Sequence, residues 1–170
     1  MQKEKQPWCC AVVPAAGNSS RMGLTISKQL ISLLGVPVLI HTLLALEKAQ
    51  RIHEIILVVR KEDQPAIQQQ VERFSLQKLS AFVEGGATRQ QSVEAGAAMA
   101  APQTQYLAIH DGARPLVSSH MIDRVVEDAI QYRAAVLGVP VKDTIKTVDP
   151  QGFVQDTPDR SILWAVQTPQ

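Results

Sequence analysis

The side chains of this sequence best suited to chemistry are one arginine and one lysine carried by a loop of small residues. The apolar run Cys9-Cys10-Ala11-Val12-Val13 breaks at Pro14, and Ala15-Ala16-Gly17-Asn18-Ser19-Ser20-Arg21-Met22 follows, with Lys28 shortly after it. Small side chains let backbone N–H groups approach an anion closely, and the two cations can neutralise charge that develops there. That is the chemistry of a nucleotide triphosphate cradle. The loop lacks Walker A spacing, and Ser19 stands where a dinucleotide fingerprint needs its second glycine. Two further loops combine glycine with charge: Gly85-Gly86 through Arg89 to Ser92, and His110-Asp111-Gly112-Ala113-Arg114-Pro115.

The elements that must position these loops read as an alternation of strands and helices. After the first strand, Ile31 to Val36 is a short apolar connector. Pro37 then stands at a helix entrance, with Val38, Leu39, Thr42, Leu43 and Leu46 at helical spacing behind it. Glu54 to Val59 is a β-branched strand, and Asp63 with Pro65 starts a helix through Phe74. Ala81 to Val83 predicts a third strand, and Thr88 with Gln91 matches a capping box opening a helix through Ala100. Tyr106 to Ile109 is a strand, Ser118 or Ser119 caps a helix carrying Ile122, Val125, Val126 and Ala129 on one face, and Ala134 to Val139 reads as another buried strand. Strands apolar on both faces and alternating with helices predict an α/β fold with a mostly parallel central sheet covered on both sides. Ligands of such sheets bind beyond the carboxyl ends of the strands, where all three loops fall. From Pro140 to Ile162 the pattern breaks into short polar segments, predicting a protruding β-arm that turns near Asp149-Pro150-Gln151-Gly152. The expected division is a core over 1–139, an arm over 140–163 and a return segment over 164–170. Trp164, on an apolar segment, is expected in the core or at an interface.

Composition bounds what such a site can serve. The 170 residues are 45% hydrophobic and 19% charged with a net charge of +1, so no global field points to nucleic acid or an anionic membrane. Any anion site is local. Cys9 and Cys10 are adjacent, which is poor geometry for a disulfide, and they have no metal-ligand spacing; reduced, buried thiols are expected. Met1 to Gln6 is polar and carries no signal-peptide core, and no apolar run reaches membrane-spanning length. A cytoplasmic protein is expected, or a stromal one in a plastid-bearing source.

Taken together the motifs resemble one family. Pro14-Ala15-Ala16-Gly17 with Arg21-Met22, Ser27-Lys28-Gln29, Gly85-Gly86 through Arg89 and Ser92-Val93, His110 to Pro115, Asp143-Thr144-Ile145-Lys146 and Thr168-Pro169-Gln170 occur in the order found in the 2-C-methyl-D-erythritol 4-phosphate cytidylyltransferase family, from Cys9 to Gln170. The resemblance implies a Rossmann-like nucleotidyltransferase domain acting on CTP and methylerythritol phosphate in non-mevalonate isoprenoid synthesis. It implies catalytic roles for Arg21 and Lys28 on the nucleotide phosphates. Pro14, Ala15, Ala16, Gly17, Gly86, Arg89, Ser92 and Asp111 would bind nucleotide, with Asp111 also facing Mg2+. Thr144, Arg160 and Thr168 would hold the acceptor, and the arm would reach a partner subunit in a homodimer. Ribitol-phosphate cytidylyl transfer is the alternative reaction, and a form that binds nucleotide without turnover is the alternative class. His110 reads as structural. Asp111 as a turn cap, Arg89 as a clamp and Arg114 as a loop-shaping partner of a carboxylate stay open beside their ligand roles.

The chain departs from the family pattern in places. Ser19 and Ser20 stand where glycine and a further arginine are usual, Ser27 where proline commonly precedes the lysine, and Ala87 where an acidic residue often occurs. Family members continue for some tens of residues past Thr-Pro-Gln, supplying a second acidic metal ligand and a lysine for the acceptor phosphate. If these 170 residues are the entire molecule, severely impaired turnover is expected even where the nucleotide pocket forms.

Overall fold

The computed structural model describes residues 6–17 and 27–170. The first apolar run is β1 (Cys9–Pro14), buried up to Val13. A 3-10 turn at Lys28–Leu30 leads into a small hairpin, β2 (Ser32–Leu33) and β3 (Val36–Pro37), where the sequence reads only as a connector. Leu34 at φ 52 and Gly35 at φ 81 make its turn, the paired left-handed conformation that suits two-residue hairpins. The alternation then runs α1 (Val38–Lys48), β4 (Glu54–Val59), α2 (Gln64–Val71), β5 (Leu79–Glu84), α3 (Arg89–Ala97), β6 (Tyr106–Ile109) and α4 (Ser119–Tyr132). The Thr88 hydroxyl accepts from the Gln91 N–H, and the Gln91 side chain accepts from the Thr88 N–H, so the capping box at α3 is complete. Ser118 caps α4 by accepting from the Met121 N–H.

The central sheet has the order β5-β4-β1-β6, and every pairing in it is parallel. Alternation along the strands sends Cys9, Ala11, Val13, Ile55, Leu57 and Val59 to one face, where Leu39, Leu43 and Leu46 of α1, Ile67 of α2 and Ile122 of α4 close the main core. Val12 and Val58 face the opposite side and meet α3 at Gly96. Helices thus cover both faces, and the carboxyl ends of the four strands share one edge.

Cys9 and Cys10 lie in the strand as free, buried thiols. Burial pushes both up to about 12, and Glu54 beside Cys10 adds to the effect. Because thiolate is the reactive form, neither should react with a thiol reagent at pH 8 until the chain unfolds. Titration with a disulfide reagent, with and without denaturant, checks this: two groups should appear only in denaturant, and fast labelling of folded protein contradicts it.

Beyond α4 the structure differs from the sequence expectation. Ala134 to Val139 is not a buried strand. The helix stops at Arg133, a left-handed C-cap at φ 77, and only β7 (Gly138–Pro140) pairs further on. Its partner is antiparallel β10 (Trp164–Val166) rather than the central sheet, and Val139 is 52% exposed. Leu137 bonds to the same returning segment, giving its N–H to the Pro169 carbonyl and accepting from the Gln167 N–H. The apolar run is therefore spent on a two-stranded pairing, not on the core. Between these strands, β8 (Thr147–Val148) and β9 (Val154–Asp156) form a hairpin. Asp149 Oδ1 closes its turn by accepting from the N–H groups of Gln151 and Phe153. Trp164 is 59% exposed, so it is not a core residue of this chain.

Candidate active site

A cleft of about 820 Å3 opens where the strands end, lined by Pro14, Ala16, Gly17, Lys28, Gly86, Arg89, Ser92, Asp111 and Arg114 among others. Three loops that are far apart in the chain meet here, and glycine lets two of them touch. A Cβ on Gly85 would lie 2.4 Å from the Ala16 Cβ and 3.1 Å from Ser92 Oγ, so any side chain there would force the loops after β1 and β5 apart. Arg21 lies outside the described residues. Lys28 stands on the 3-10 turn, which is anchored by buried Gln29 and by the Ser27 hydroxyl donating to Gln29 Oε1 at 2.5 Å.

Asp111 organises the opposite wall. Its Oδ1 accepts from Arg89 Nη2 at 3.1 Å and its Oδ2 from Arg114 Nε at 3.0 Å, so one carboxylate ties the start of α3 to the loop after β6. Burial pushes its carboxyl up, but the hydrogen bonds from Arg114 and Arg89 and their charges outweigh that and hold it below the ordinary aspartate range. Both structural alternatives for these arginines are thus present in the geometry. Arg114 also gives Nη1–H to Gln167 Oε1.

Behind Asp111 sits His110, fully buried. Burial lowers its pKa and favours the neutral ring. The Thr168 hydroxyl lies 3.1 Å from His110 Nδ1 and accepts from the Asp111 N–H at 3.3 Å. Thr168 therefore seals the return segment against the site loop and faces a second, largely apolar cavity of about 420 Å3 beside Leu116, Met121, Leu137 and Val139. Ser92, 4% exposed, is similarly engaged: its Oγ accepts from the Gly86 N–H and donates to the Thr88 carbonyl. Thr144 and Arg160 lie exposed on the arm and line neither cavity; Arg160 Nη1 donates to the Lys142 carbonyl at 2.8 Å.

The structure adds residues that sequence reasoning passed over. Arg60, Lys61 and Glu62, directly after β4, and Glu84 at the end of β5 also line the cleft. In sequence only Asp63, with Pro65, reads as a helix start; the rule that ligands bind beyond strand ends, applied to Glu54–Val59, would have found Arg60, Lys61 and Glu62. Among the described residues the lining carries five cations (Lys28, Arg60, Lys61, Arg89, Arg114) against three carboxylates (Glu62, Glu84, Asp111). A chain of net charge +1 has thus gathered an excess of positive charge at one edge, suited to a polyanion.

Comparison with known proteins bears on the family and the fold. A family model described as 2-C-methyl-D-erythritol 4-phosphate cytidylyltransferase matches residues 9–170. The protein of that name from Caldanaerobacter subterraneus subsp. tengcongensis is 45% identical over 161 residues, covering 94% of this chain and 71% of its own length. That of Desulforamulus reducens is 46% identical over 161 residues, covering 94% and 69%. Among solved structures, 4-diphosphocytidyl-2C-methyl-D-erythritol synthase from Anaerococcus prevotii superposes with a TM-score of 0.80 at 30% identity, covering 96% of this chain and 69% of that one. The cytidylyltransferase of Thermus thermophilus gives a TM-score of 0.71 at 30% identity, covering 95% and 68%. The chain belongs to the 2-C-methyl-D-erythritol 4-phosphate cytidylyltransferase family.

Proposed function

We propose that this chain transfers the cytidylyl group of CTP to 2-C-methyl-D-erythritol 4-phosphate. A phosphate oxygen of the acceptor attacks the α-phosphorus of CTP in line, the bond to the bridging oxygen of the β-phosphate breaks, and pyrophosphate leaves. The observation that carries the reading is the convergence of the small-residue loop after β1, the Gly85–Ser92 loop and the Asp111 loop on one cationic cleft. Catalysis of this kind is positioning and charge stabilisation, needing no covalent nucleophile. Arg21 and Lys28 are assigned to the α-phosphate as charge grows on it. The backbone of Pro14 to Gly17 lines the nucleotide, with Gly86, Arg89 and Ser92 on the base side. Thr144, Arg160 and Thr168 are assigned to the acceptor. Two of these residues stand apart from the cleft on the arm, which supports an arrangement in which the arm reaches a second subunit of a homodimer.

Asp111 suits a magnesium ion carried by the nucleotide better than a resident one. Among the described residues no three His, Cys, Asp or Glu side chains come together. Mg2+ keeps phosphate and water oxygens and needs only one or two carboxylates, so the ionised Asp111 would supply one ligand. The ion would neutralise phosphate charge. No described helix is long and apolar enough to cross a membrane, and we place the protein in the cytoplasm.

The test is product formation from CTP with methylerythritol phosphate and, separately, ribitol phosphate, followed by release of pyrophosphate. CDP-methylerythritol is the expected product. Product from ribitol phosphate alone would reassign the acceptor, and CTP binding with no product from either would reduce the chain to a nucleotide-binding module.

A further inference from the structure

Thr42 is a polar residue on the buried face of α1, beside Leu39, Leu43 and Leu46, and it is as fully buried as they are. A hydroxyl in such an apolar stripe calls for an explanation, because valine would fill the same space with no proton to place. A helical threonine ordinarily returns its proton to the carbonyl one turn back. Here that carbonyl, of Val38, is 3.4 Å away, and the nearer acceptor lies outside the helix: Thr42 Oγ1 donates to the Gly112 carbonyl at 3.1 Å, across 70 positions of chain. Gly112 is itself buried and sits tightly on α1. A Cβ there would lie 3.0 Å from Leu39 Cδ1 and 3.1 Å from the Ala15 Cβ.

Gly112 and Ala113 are the central residues of a turn closed by the Arg114 N–H on the Asp111 carbonyl at 3.2 Å. The amides of this loop are tied to its neighbours: His110 N–H to the Val12 carbonyl at 3.0 Å, Asp111 N–H to Thr168 Oγ1 at 3.3 Å and Gly112 N–H to the Pro14 carbonyl at 3.1 Å. Thr42 holds the middle peptide of the turn from below. Without that hydroxyl the Gly112 carbonyl would be buried against α1 with its donor gone, which is costly. Reversing the middle peptide would need a positive φ at Ala113, a conformation that residue does not adopt and its Cβ disfavours. The loop can instead recover a partner by lifting from α1 toward water. Lifting displaces Asp111, the adjacent residue, whose two carboxylate oxygens hold Arg89 and Arg114.

Resting on the reading of Asp111 as the carboxylate that meets nucleotide-bound magnesium, we infer that Thr42 is a positioning residue: from the core side of α1 its hydroxyl sets where the Asp111 turn stands in the cleft. The experiment is calorimetric CTP binding with and without Mg2+ to the wild-type chain and to Thr42→Val, Thr42→Ser, Thr42→Ala and Asp111→Asn, with thermal melts to show that each is folded. The quantity read is the factor by which Mg2+ strengthens CTP binding. It should fall about tenfold in Thr42→Val, the usual loss when a group orienting a metal ligand is removed, and further in Asp111→Asn. Thr42→Ser keeps the hydroxyl and should stay close to wild type, although the lost methyl lowers its melting midpoint. A packing role would give the reverse order, favouring Thr42→Val over Thr42→Ser. Should Thr42→Val fail to fold, Thr42→Ala against Thr42→Ser makes the same comparison. If Asp111→Asn lowers the factor while folded Thr42→Val keeps it, or if Thr42→Ser loses as much as Thr42→Val, the role of Thr42 alone is overturned. A wild-type chain whose CTP binding Mg2+ does not strengthen, or a folded Asp111→Asn that keeps the wild-type factor, overturns the magnesium reading of Asp111 and this inference with it.

Discussion

Replacing Lys28 with alanine is expected to slow the chemical step by about 100- to 1,000-fold, the usual effect of removing one preorganised charge donor from a site of developing negative charge. CTP affinity should change much less, because the cleft keeps Arg60, Lys61, Arg89 and Arg114 for ground-state attraction. The asymmetry follows from where Lys28 stands. Its 3-10 turn is braced by the Leu30 N–H to the Ser27 carbonyl and by nearly buried Gln29, so the ammonium starts from a rigid base. Among the other cations at this edge, Arg89 and Arg114 pair with Asp111 and Arg60 pairs with Asp63. Single-turnover product formation, run beside calorimetric CTP binding, separates the two effects. An unchanged rate would remove Lys28 from the mechanism, and equal losses in rate and affinity would make it a binding residue.

Gly96→Ala should destabilise the fold by about 1–3 kcal/mol, the range for forcing extra carbon into a filled core. The new Cβ would lie 2.5 Å from Val12 Cγ1 and 2.8 Å from Val58 Cγ2. Both valines are fully buried, and β-branched side chains have few rotamers to retreat into. Something larger than a side chain must give, and α3 is the element that can lift. Its first turn carries Arg89, and Ser92 follows one turn on, so lifting it pulls Arg89 from Asp111 and the Gly86 N–H from Ser92. A fall in the thermal midpoint should accordingly come with weaker CTP binding. Denaturant titration and calorimetry on the same preparation check it, and a wild-type midpoint would show that α3 sits more loosely on β1 and β4 than the close contact implies.

The same residue illustrates how the site depends on packing that no local pattern announces. The capping box at Thr88 is readable because it involves only residues three apart, and the structure contains it as expected. The alternation of strand and helix is readable for a similar reason, since side-chain period and turn chemistry are local. The Asp111 loop is visible as a motif, yet its partners are not: Arg89 lies 22 positions away and Thr168 57 away. Burial misleads where it depends on what happens to lie opposite. Ala134 to Val139 is apolar enough for a core strand, but the backbone facing it is the returning segment, so it forms an exposed two-stranded pair.

From the sequence alone came the parallel α/β architecture, the three loops bearing glycine and charge, and their family, because these rest on residue type and short spacing. Only the tertiary structure decided which groups face one another there. Strand order put the turn after β4, with Arg60 and Lys61, on the lining of the same cleft. Hydrogen bonds spanning 57 and 58 positions committed the Thr168 hydroxyl to holding the loop after β6 in place. Asp111 became the tie between two arginines. The physical reason is that strand order and loop contact are settled by burying both faces of the sheet at once, a collective outcome that no window of neighbouring residues contains.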